Sequence, residues 1–241
     1  MDFKEMAKVL NLNYDERRLG YHLTNNPNKL MPNGVQSVTI HQTGSPSYGG
    51  DANAHHNYVR NNTGGRKVSW HWTVDETVAI QHFRDTRITW HSATKKGNET
   101  SIGIELCIDA DTRGGAIMGE ENYKKTIDNG AKLAAAKLTE YGLGIDNLKT
   151  HNDWSGKNCP AQLRAGLYGI KWADFVGMVN KYMKALTQES TAVQTPAPDG
   201  KLFRVAVDSF KYRENADSLV EELKKQGFNA FLVVIDDPRK G

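Results

Sequence analysis

The stretch SIGIELCI, residues 101–108, contains one charged residue, Glu105, and the residues on both sides of it are mostly apolar. An apolar run of this length is typical of a strand buried on both faces, so we predict that it forms a central strand of a sheet. A carboxylate in such a strand must be paired, bound to a metal ion or shifted towards a raised pKa. The stretch therefore predicts a strand at the centre of the sheet and, on that strand, a candidate general base, Glu105. The alternative is a buried glutamate satisfied by an arginine or by backbone amides.

Two further stretches are strand-like, and they alternate with helical ones. VQSVTIHQ (35–42) alternates apolar and polar residues, and VSWHWTVD (68–75) also has strand character. Asp51 is placed to cap a short helix between them. Apolar residues spaced three or four apart predict longer helices over 120–141 and about 171–186. Strands that alternate with helices indicate an α/β fold, with a mixed central sheet flanked by helices.

A change in composition divides the chain. In TQESTAVQTPAPDG (187–200), small polar residues and prolines replace any apolar periodicity, so we predict a linker between a domain over 1–186 and a small unit over 201–241. At about 40 residues the small unit is near the lower limit for independent folding, and we expect it to need a partner surface. Its pattern is β-α-β, with a strand LFRVAV (202–207), a helix over 215–226 and a strand AFLVVI (230–235).

The composition of the 241-residue chain excludes several classes of protein. A hydrophobic fraction of 38% is too high for a disordered polymer, and no apolar stretch approaches the roughly 20 residues that span a bilayer, so we expect no membrane insertion. The net charge is only +3 and forms no basic stripe, which argues against nucleic acid as a partner. Two cysteines cannot build a disulfide framework, so each thiol is either buried filler or takes part in chemistry. Residues 1–20 contain no apolar signal-peptide core, and we expect synthesis in the cytoplasm without a secretory signal.

Histidines and one thiol form a candidate metal site. His41 ends a predicted strand, and His151 and Cys159 lie on one tight loop. Two ligands from one loop and a third from a distant strand would occupy three corners of a tetrahedron and leave the fourth open for water. Cys107 lies on the same strand face as Glu105 and competes with Cys159 for the role of thiol ligand. Three further histidines are interpreted as residues of a helix surface and a loop: His55, His56 and His82.

Four motifs, taken in order, carry a family resemblance. They are VTIHQT (38–43), VSWHWTVD (68–75), SIGIEL (101–106) and THNDWSGKNCP (150–160). Together they resemble the zinc-dependent N-acetylmuramoyl-L-alanine amidases, which include phage endolysins, bacterial autolysins and peptidoglycan-recognition proteins. The resemblance spans roughly residues 20–185, and the two histidines, the cysteine and a lysine two residues before the cysteine are specific as a combination.

The resemblance assigns roles to particular residues. It implies that His41, His151 and Cys159 bind one Zn²⁺ per chain, which decides against the other cysteine. It further implies that Glu105 is the acid and base of the reaction and that Lys157 stabilises developing negative charge, where the alternative for Lys157 is a solvated loop lysine. The implied fold is of the peptidoglycan-recognition and amidase type, and the implied partner is the peptidoglycan of the bacterial cell wall.

One position departs from the family pattern. Some relatives have a tyrosine where Trp70 stands, and an indole cannot act as an acid or base, so that work falls on Glu105. Trp70 and His91, which follows Trp90, are candidates for lining a cleft that binds the sugar and the peptide. Core packing is the alternative for aromatic residues at these spacings.

The C-terminal unit has a resemblance of its own. FRVAVDSF, a helix ending in LKKQGF, and NAFLV resemble one half of a SPOR domain, a module that binds peptidoglycan glycan strands. The second β-α-β half of that family is missing from the pattern, so glycan binding would require two copies to pair across a dimer. The alternative is a folded tail without a function.

These inferences combine into one expected activity, hydrolysis of the amide between N-acetylmuramic acid and L-alanine. We expect a phage or prophage endolysin that reaches the cell wall after release through a holin pore. The alternatives are a non-catalytic peptidoglycan-recognition module, an exported autolysin, an amidase that recycles wall fragments, and a His₂Cys copper site for electron transfer. A copper site of that kind would normally add a nearby methionine ligand, and the next methionine after Cys159 is Met178.

Overall fold

The structure, a computed structural model, describes residues 1–20, 23, 25–44, 46–62, 65–192 and, beyond these, Asp217, Val220 and Glu221. The chain divides into two compact units, Met1–Gln194 and Thr195–Gly241. The strands and most of the helix predicted for the C-terminal β-α-β unit lie outside the described residues. The three residues described there are helical, within the helix predicted over 215–226.

The first unit is a six-stranded sheet with helices on it. The strand order is β1-β4-β3-β5-β2-β6, and neighbouring strands are parallel except for the β3–β4 pair. The elements in chain order are α1 (Phe3–Val9), β1 (Tyr14–Glu16), β2 (Ser37–Gln42), α2 (Ala52–Asn61), β3 (Trp72–Val74), β4 (Ala79–Gln81), α3 (Lys95–Thr100), β5 (Ser101–Leu106), α4 (Glu120–Glu140), β6 (Leu148–Thr150), α5 (His151–Ser155), α6 (Ala161–Ala165) and α7 (Trp172–Ala192). The mixed sheet flanked by helices is as predicted, and β5 lies in its interior.

One face of the sheet is apolar. In the strand register Ile40 of β2 pairs with Ile104 of β5, which in turn pairs with Trp72 of β3, and all three side chains are fully buried. Alternate residues of a strand point to the same face, so the three central strands each contribute every second side chain to one hydrophobic layer. The long helix α4 covers this layer, with α1 and α7 packed beside it.

The other face of the same strands is polar. The register continues one residue further along, where His41 pairs with Glu105 and Glu105 pairs with Thr73. SIGIEL thus alternates between an apolar and a polar face, although the strand is covered on both sides. Glu105 stands at the boundary between the buried strand and the loops that follow it.

Two predicted element boundaries differ from the structure. The strand predicted over 68–75 is confined to β3, because the main chain before it pairs with loop residues instead: Ser69 N donates to Trp90 O. Helix α7 continues to Ala192, into the predicted linker, because the residues there include no glycine or proline that would stop a helix. None of the helices in the described part of the chain combines the length and the apolar composition of a membrane span.

A buried ion pair joins α4 to the sheet. Lys137 is only 2% exposed, and its Nζ lies 2.8 Å from Asp85 Oδ2 and 2.9 Å from Glu140 Oε2. The ammonium group also lies 3.6 Å from the ring centroid of Phe3 and 4.8 Å from that of Trp72. Trp72 Nε1 donates a hydrogen bond to the other oxygen of Asp85, at 2.6 Å. Two carboxylates and two aromatic faces therefore enclose one charge, which is the condition under which a buried lysine is tolerated.

We predict that Lys137→Met lowers the free energy of unfolding by about 3–5 kcal/mol, because Asp85 would remain inside the fold without its cation. Lys124 on the same helix pairs with Glu120 at 2.6 Å, but both side chains are exposed. The matched variant Lys124→Met should therefore cost no more than about 0.5 kcal/mol. Urea denaturation followed by circular dichroism measures both values. A loss in Lys137→Met as small as that in Lys124→Met would show that the buried pair is not needed for stability.

Candidate active site

Two histidines meet at the carboxyl ends of neighbouring parallel strands. Ile40 of β2 pairs with Thr150 of β6, so the next residues of the two strands, His41 and His151, lie at the same edge of the sheet. Their Nδ1 atoms are 3.0 Å apart, and the ring planes are tilted by 72°. Both side chains are buried. The pairing predicted from the two distant motifs thus follows directly from the strand register.

The short loop after His151 brings a cysteine to the same place. Thr150 caps α5 in a reciprocal capping box with Asp153, and the helix ends at Gly156, whose φ of +73° permits the reversal of the chain. Asn152 then closes the loop with two hydrogen bonds. Its main-chain N–H donates to Cys159 O at 3.1 Å, and its side-chain Nδ2 donates to Lys157 O at 2.9 Å. Through these two hydrogen bonds Asn152 fixes the separation of His151 and Cys159.

The three candidate ligands form one cluster. His41 Nδ1 lies 3.9 Å from Cys159 Sγ, and the donor atoms of His41, His151 and Cys159 all lie within 4.8 Å of one another. It is the one group of three or more histidine, cysteine or carboxylate side chains with metal-binding spacing in the part of the chain that the structure describes. Cys107 lies instead in the main hydrophobic core, fully buried.

The chemistry and spacing of this cluster fit a zinc ion. Imidazole nitrogen and thiolate sulfur are the donors that zinc prefers, and tetrahedral zinc would separate two nitrogens by roughly 3.3 Å and a nitrogen from a sulfur by roughly 3.6 Å. The observed distances of 3.0 Å and 3.9 Å are close to both values. The residues present could therefore hold the ion that the family resemblance implies, with small side-chain adjustments.

Burial determines the protonation of the three side chains. It lowers the pKa of His41 well below its usual value and that of His151 to about 4, so both imidazoles are neutral near pH 7, the form that binds metals. Burial, with the nearby Glu105 charge, raises the pKa of Cys159 to about 11. A bound cation would reverse this preference and favour the thiolate, so metal binding would release a proton.

Glu105 faces this cluster from the next strand. Its Oε1 lies 4.0 Å from His41 Nδ1, and its Oε2 is buried with no hydrogen-bond partner among the described residues. Burial raises the pKa of Glu105 to about 7, and the positive charge of Lys157 opposes the shift. The arginine or amide partner that the alternative interpretation requires is not found at Oε2. A carboxyl group that titrates near neutrality is suited to accept and return a proton.

Lys157 lies on the same loop as the cysteine. Its side chain is exposed, and its charge lowers the pKa of both Glu105 and His151, although burial has the larger effect on each. Its main-chain oxygen accepts the hydrogen bond from Cys159 N at 2.8 Å, which holds the two residues in a tight turn. The sequence-predicted cation is therefore electrostatically coupled to the candidate base.

The structure places Trp70 and His91, the candidates for lining the cleft, in the interior of the protein. Trp70 is 5% exposed, donates from Nε1 to Thr73 Oγ1 at 2.7 Å and stacks on Tyr58. His91 is 7% exposed, and both of its ring nitrogens have partners inside the protein: Nδ1 lies 2.9 Å from His41 Nε2, and Nε2 lies 3.2 Å from Ser101 O. The polar atoms of both side chains are thus paired with groups of the protein itself. Trp70 has the packing role named as its alternative, and His91 lies behind a candidate ligand.

Two histidines predicted at a helix surface and in a loop are buried instead. His56 lies on the side of α2 that faces the sheet, and His82 is fully buried behind it. Their Nδ1 atoms are 3.1 Å apart, and His82 Nε2 lies 2.7 Å from Thr73 Oγ1. The prediction was wrong because the polar face of the sheet is covered and takes polar side chains into the interior.

Sequence reasoning missed two residues that support the site. No sequence pattern identifies Asn152, because its role depends on main-chain oxygens that the folded loop brings close to it. Gly103 had one: a glycine inside a strand indicates a close approach by another group. A Cβ at this position would lie 2.7 Å from His91 Cγ, so the glycine makes room for that imidazole.

Comparison with known protein families agrees with these motifs. The N-acetylmuramoyl-L-alanine amidase family matches residues 31–162, which include the three candidate ligands, Glu105 and Lys157. The SPOR domain family matches residues 179–234. The second match begins inside α7, crosses the predicted linker and ends at residue 234 of the predicted C-terminal unit.

Individual relatives are amidases from bacilli. The N-acetylmuramoyl-L-alanine amidase XlyA of Bacillus subtilis (strain 168) is 34% identical over 128 residues, which are 52% of this chain and 39% of XlyA. XlyB of the same organism is 32% identical over 176 residues, which are 70% of this chain and 50% of XlyB. The chain therefore spans half or less of the length of these curated relatives.

Solved structures share the architecture described above. The catalytic domain of XlyA is 29% identical, with a TM-score of 0.60 over 70% of this chain and 99% of that domain. PlyL is 26% identical, with a TM-score of 0.55 over 70% of this chain and 96% of PlyL. With more than half of its 241 residues matched by the family pattern, the chain belongs to the N-acetylmuramoyl-L-alanine amidase family.

Proposed function

We propose that this chain is a zinc-dependent amidase that hydrolyses the bond between the lactyl group of N-acetylmuramic acid and the first L-alanine of the peptidoglycan stem peptide. One observation carries the proposal. In a chain of this family, three donor atoms that fit zinc lie within 4.8 Å of one another, and the Oε1 of Glu105 lies 4.0 Å from one of them. An electrophilic centre and a base are thus available side by side.

His41, His151 and Cys159 would hold the zinc ion. When bound, zinc would supply a Lewis acid that makes a water molecule acidic near neutral pH and polarises the amide carbonyl. The three protein donors leave a fourth position for water or substrate, as in other catalytic zinc sites. Asn152 keeps the two loop donors, His151 and Cys159, at a fixed separation.

Glu105 would move the proton. Its carboxylate takes a proton from the attacking water as the water oxygen bonds to the carbonyl carbon. It then gives that proton to the amide nitrogen as the carbon–nitrogen bond breaks, which leaves a lactyl carboxylate and a free α-amino group on L-alanine. Lys157, whose charge already acts on Glu105, would stabilise the negative charge that develops on the carbonyl oxygen.

The named relatives support a role in wall lysis. A structure described as a mutant endolysin from Bacillus subtilis is 29% identical to this chain, with a TM-score of 0.60. We propose an endolysin-type enzyme that acts at the cell wall, with release through a holin pore as its route. The SPOR match supports attachment to peptidoglycan by the C-terminal unit, and pairing of two copies would complete that binding surface.

A non-catalytic peptidoglycan-recognition module is the second candidate function. It would share the fold and the cleft but would need neither a complete donor set nor a base. The thiol of Cys159 and the unpartnered oxygen of Glu105 both favour the enzyme. An electron-transfer copper site is less well supported, because Met178 packs with α7 against the hydrophobic core.

Digestion of purified peptidoglycan by the full chain, with and without a chelator, tests the reaction. Mass analysis should find intact glycan strands and free stem peptides that begin with L-alanine, and the chelator should abolish both products. New reducing sugar ends would identify a glycosidase instead. Binding to peptidoglycan without any released peptide, in the presence of added zinc, would establish the recognition module.

We predict that replacing Cys159 removes the bound zinc, whereas replacing Cys107 does not. Cys159→Ala removes a donor and should lower bound zinc from one ion per chain to a small fraction and abolish turnover, since two imidazoles alone bind zinc weakly. Cys107→Ala removes a buried sulfur of the core and should keep the metal, with a loss of stability of about 1 kcal/mol. Elemental analysis of the purified variants measures the zinc directly. Normal zinc content in the Cys159 variant would refute the donor set.

We predict that Glu105→Gln lowers kcat about 10²–10⁴-fold and leaves the zinc content unchanged, because the amide cannot accept a proton. Glu99→Gln is the matched control: Glu99 pairs with Lys95 on α3, away from the three donors, and its variant should keep the parental rate. Release of stem peptides from purified walls gives the rates. A Glu105 variant that works at the parental rate would mean that another group is the base.

A further inference from the structure

We infer that His91 is a positioning residue, which holds His41 in the tautomer that carries its proton on Nε2 and so presents the Nδ1 lone pair to the metal site. The inference rests on the proposed function in one respect only, that a metal ion is bound at His41. It assigns to His91 a role that is neither catalysis nor contact with substrate.

A chain of three polar groups determines where the protons lie. Ser101 O is a carbonyl and can only accept, so His91 Nε2, at 3.2 Å from it, must carry a proton. Both rings lie in the interior, His41 1% and His91 7% exposed, where an unpaired imidazolium charge would be costly, so each ring is neutral and carries one proton. His91 Nδ1 is then an acceptor, and His41 Nε2, at 2.9 Å from it, must be the donor. The remaining nitrogen, His41 Nδ1, is left unprotonated, and its lone pair faces His151 Nδ1 at 3.0 Å and Cys159 Sγ at 3.9 Å.

The surroundings prevent His91 from turning away. Its main-chain N–H donates to Asn98 Oδ1 at 3.0 Å, and Ser92 N donates to the same oxygen at 2.9 Å, which ties the loop to α3. On the other side the imidazole lies against Gly103 of β5, where a Cβ would be only 2.7 Å from its Cγ. The ring is therefore held between a strand and an anchored loop.

A histidine that binds a metal commonly donates its second N–H to a fixed acceptor, which sets its tautomer and orientation. Here the acceptor is itself an imidazole, and its own tautomer is set by a backbone carbonyl. The buried pair His56 and His82 provides a contrast. His82 Nε2 bonds to the hydroxyl of Thr73, which can either donate or accept, so the structure sets no unique proton position there.

The proton position can be observed in the metal-free full chain by long-range ¹H–¹⁵N correlation of the histidine rings near pH 7.5. In the parent, His41 should show a protonated Nε2 and an unprotonated Nδ1. In His91→Leu the acceptor is lost, and the proton of His41 should move to Nδ1, where His151 Nδ1 at 3.0 Å can accept it. His91→Asp, whose carboxylate only accepts, should restore the protonated Nε2 at His41.

Zinc affinity, measured by competition with a chromogenic chelator, is the second measurement. His91→Leu should bind zinc about 10–100-fold more weakly, because the proton on His41 Nδ1 must first be displaced. His82→Leu is the matched control, since it also removes a buried imidazole but one with no contact to a candidate ligand. It should leave both the His41 tautomer and the zinc affinity as in the parent.

Two results would overturn the inference. One is a His91→Leu protein that keeps a protonated Nε2 at His41 and binds zinc as the parent does. The other is a His82→Leu protein that changes both quantities as much as His91→Leu. Should His91→Leu fail to fold, Gly103→Ala decides: its Cβ displaces the ring, so a switched His41 tautomer supports the inference and an unchanged one refutes it.

Neither measurement uses peptidoglycan. A chain that shows the expected tautomers and zinc affinities but releases no stem peptide would overturn the proposed activity and leave the role of His91 intact. A chain that releases stem peptides while His91→Leu leaves tautomer and affinity unchanged would do the reverse.

Discussion

The alternation of side chains along three central strands is the constraint on which the rest of the structure depends. In β2, β3 and β5, the apolar side chains stand at alternate positions and pack under α4, while Thr39, His41, Thr73 and Glu105 stand between them and face the opposite side. Because loops and α2 cover that second face as well, its polar groups lose water and must find partners inside the protein. The buried histidines therefore bond to one another, to hydroxyls and to main-chain groups.

Polar and charged groups have partners on the helix side of the sheet, whereas some of those on the loop side have none in the described part of the chain, and this difference indicates where the active site lies. On the helix side, Lys137 and Asp85 are closely paired and supported by further hydrogen bonds, so they stabilise the packing of α4. On the loop side, Glu105 Oε2 and His151 Nε2 are buried without a hydrogen-bond partner among the described residues. Unsatisfied polar atoms are costly in a stable core, and two of them in and beside a group of three metal donors are typical of a site whose partners arrive from outside.

The strength of sequence reasoning differed with the kind of feature. Local signals were reliable: the alternation of Val38 and Ile40 predicted β2, and Asp51 caps α2 through Ala54 N. The positions of His41, His151 and Cys159 made them a candidate metal site, and the resemblance decided for Cys159 over Cys107. The strand register explains in three dimensions why the two histidines meet. The burial of Trp70 and His91 could not be predicted, because it depends on how residues before α3 fold over the polar face, and no local pattern encodes that cover.

The loop closed by Asn152 has a consequence for how a metal ion would be acquired. His151 and Cys159 are carried on one short segment whose separation is set by two hydrogen bonds, whereas His41 belongs to the sheet. The loop is in effect a bidentate chelator built in advance, and the sheet adds a third donor at high effective concentration. Most of the entropy cost of assembling the donors is thus met when the protein folds, so capture of the ion requires little further ordering of the chain.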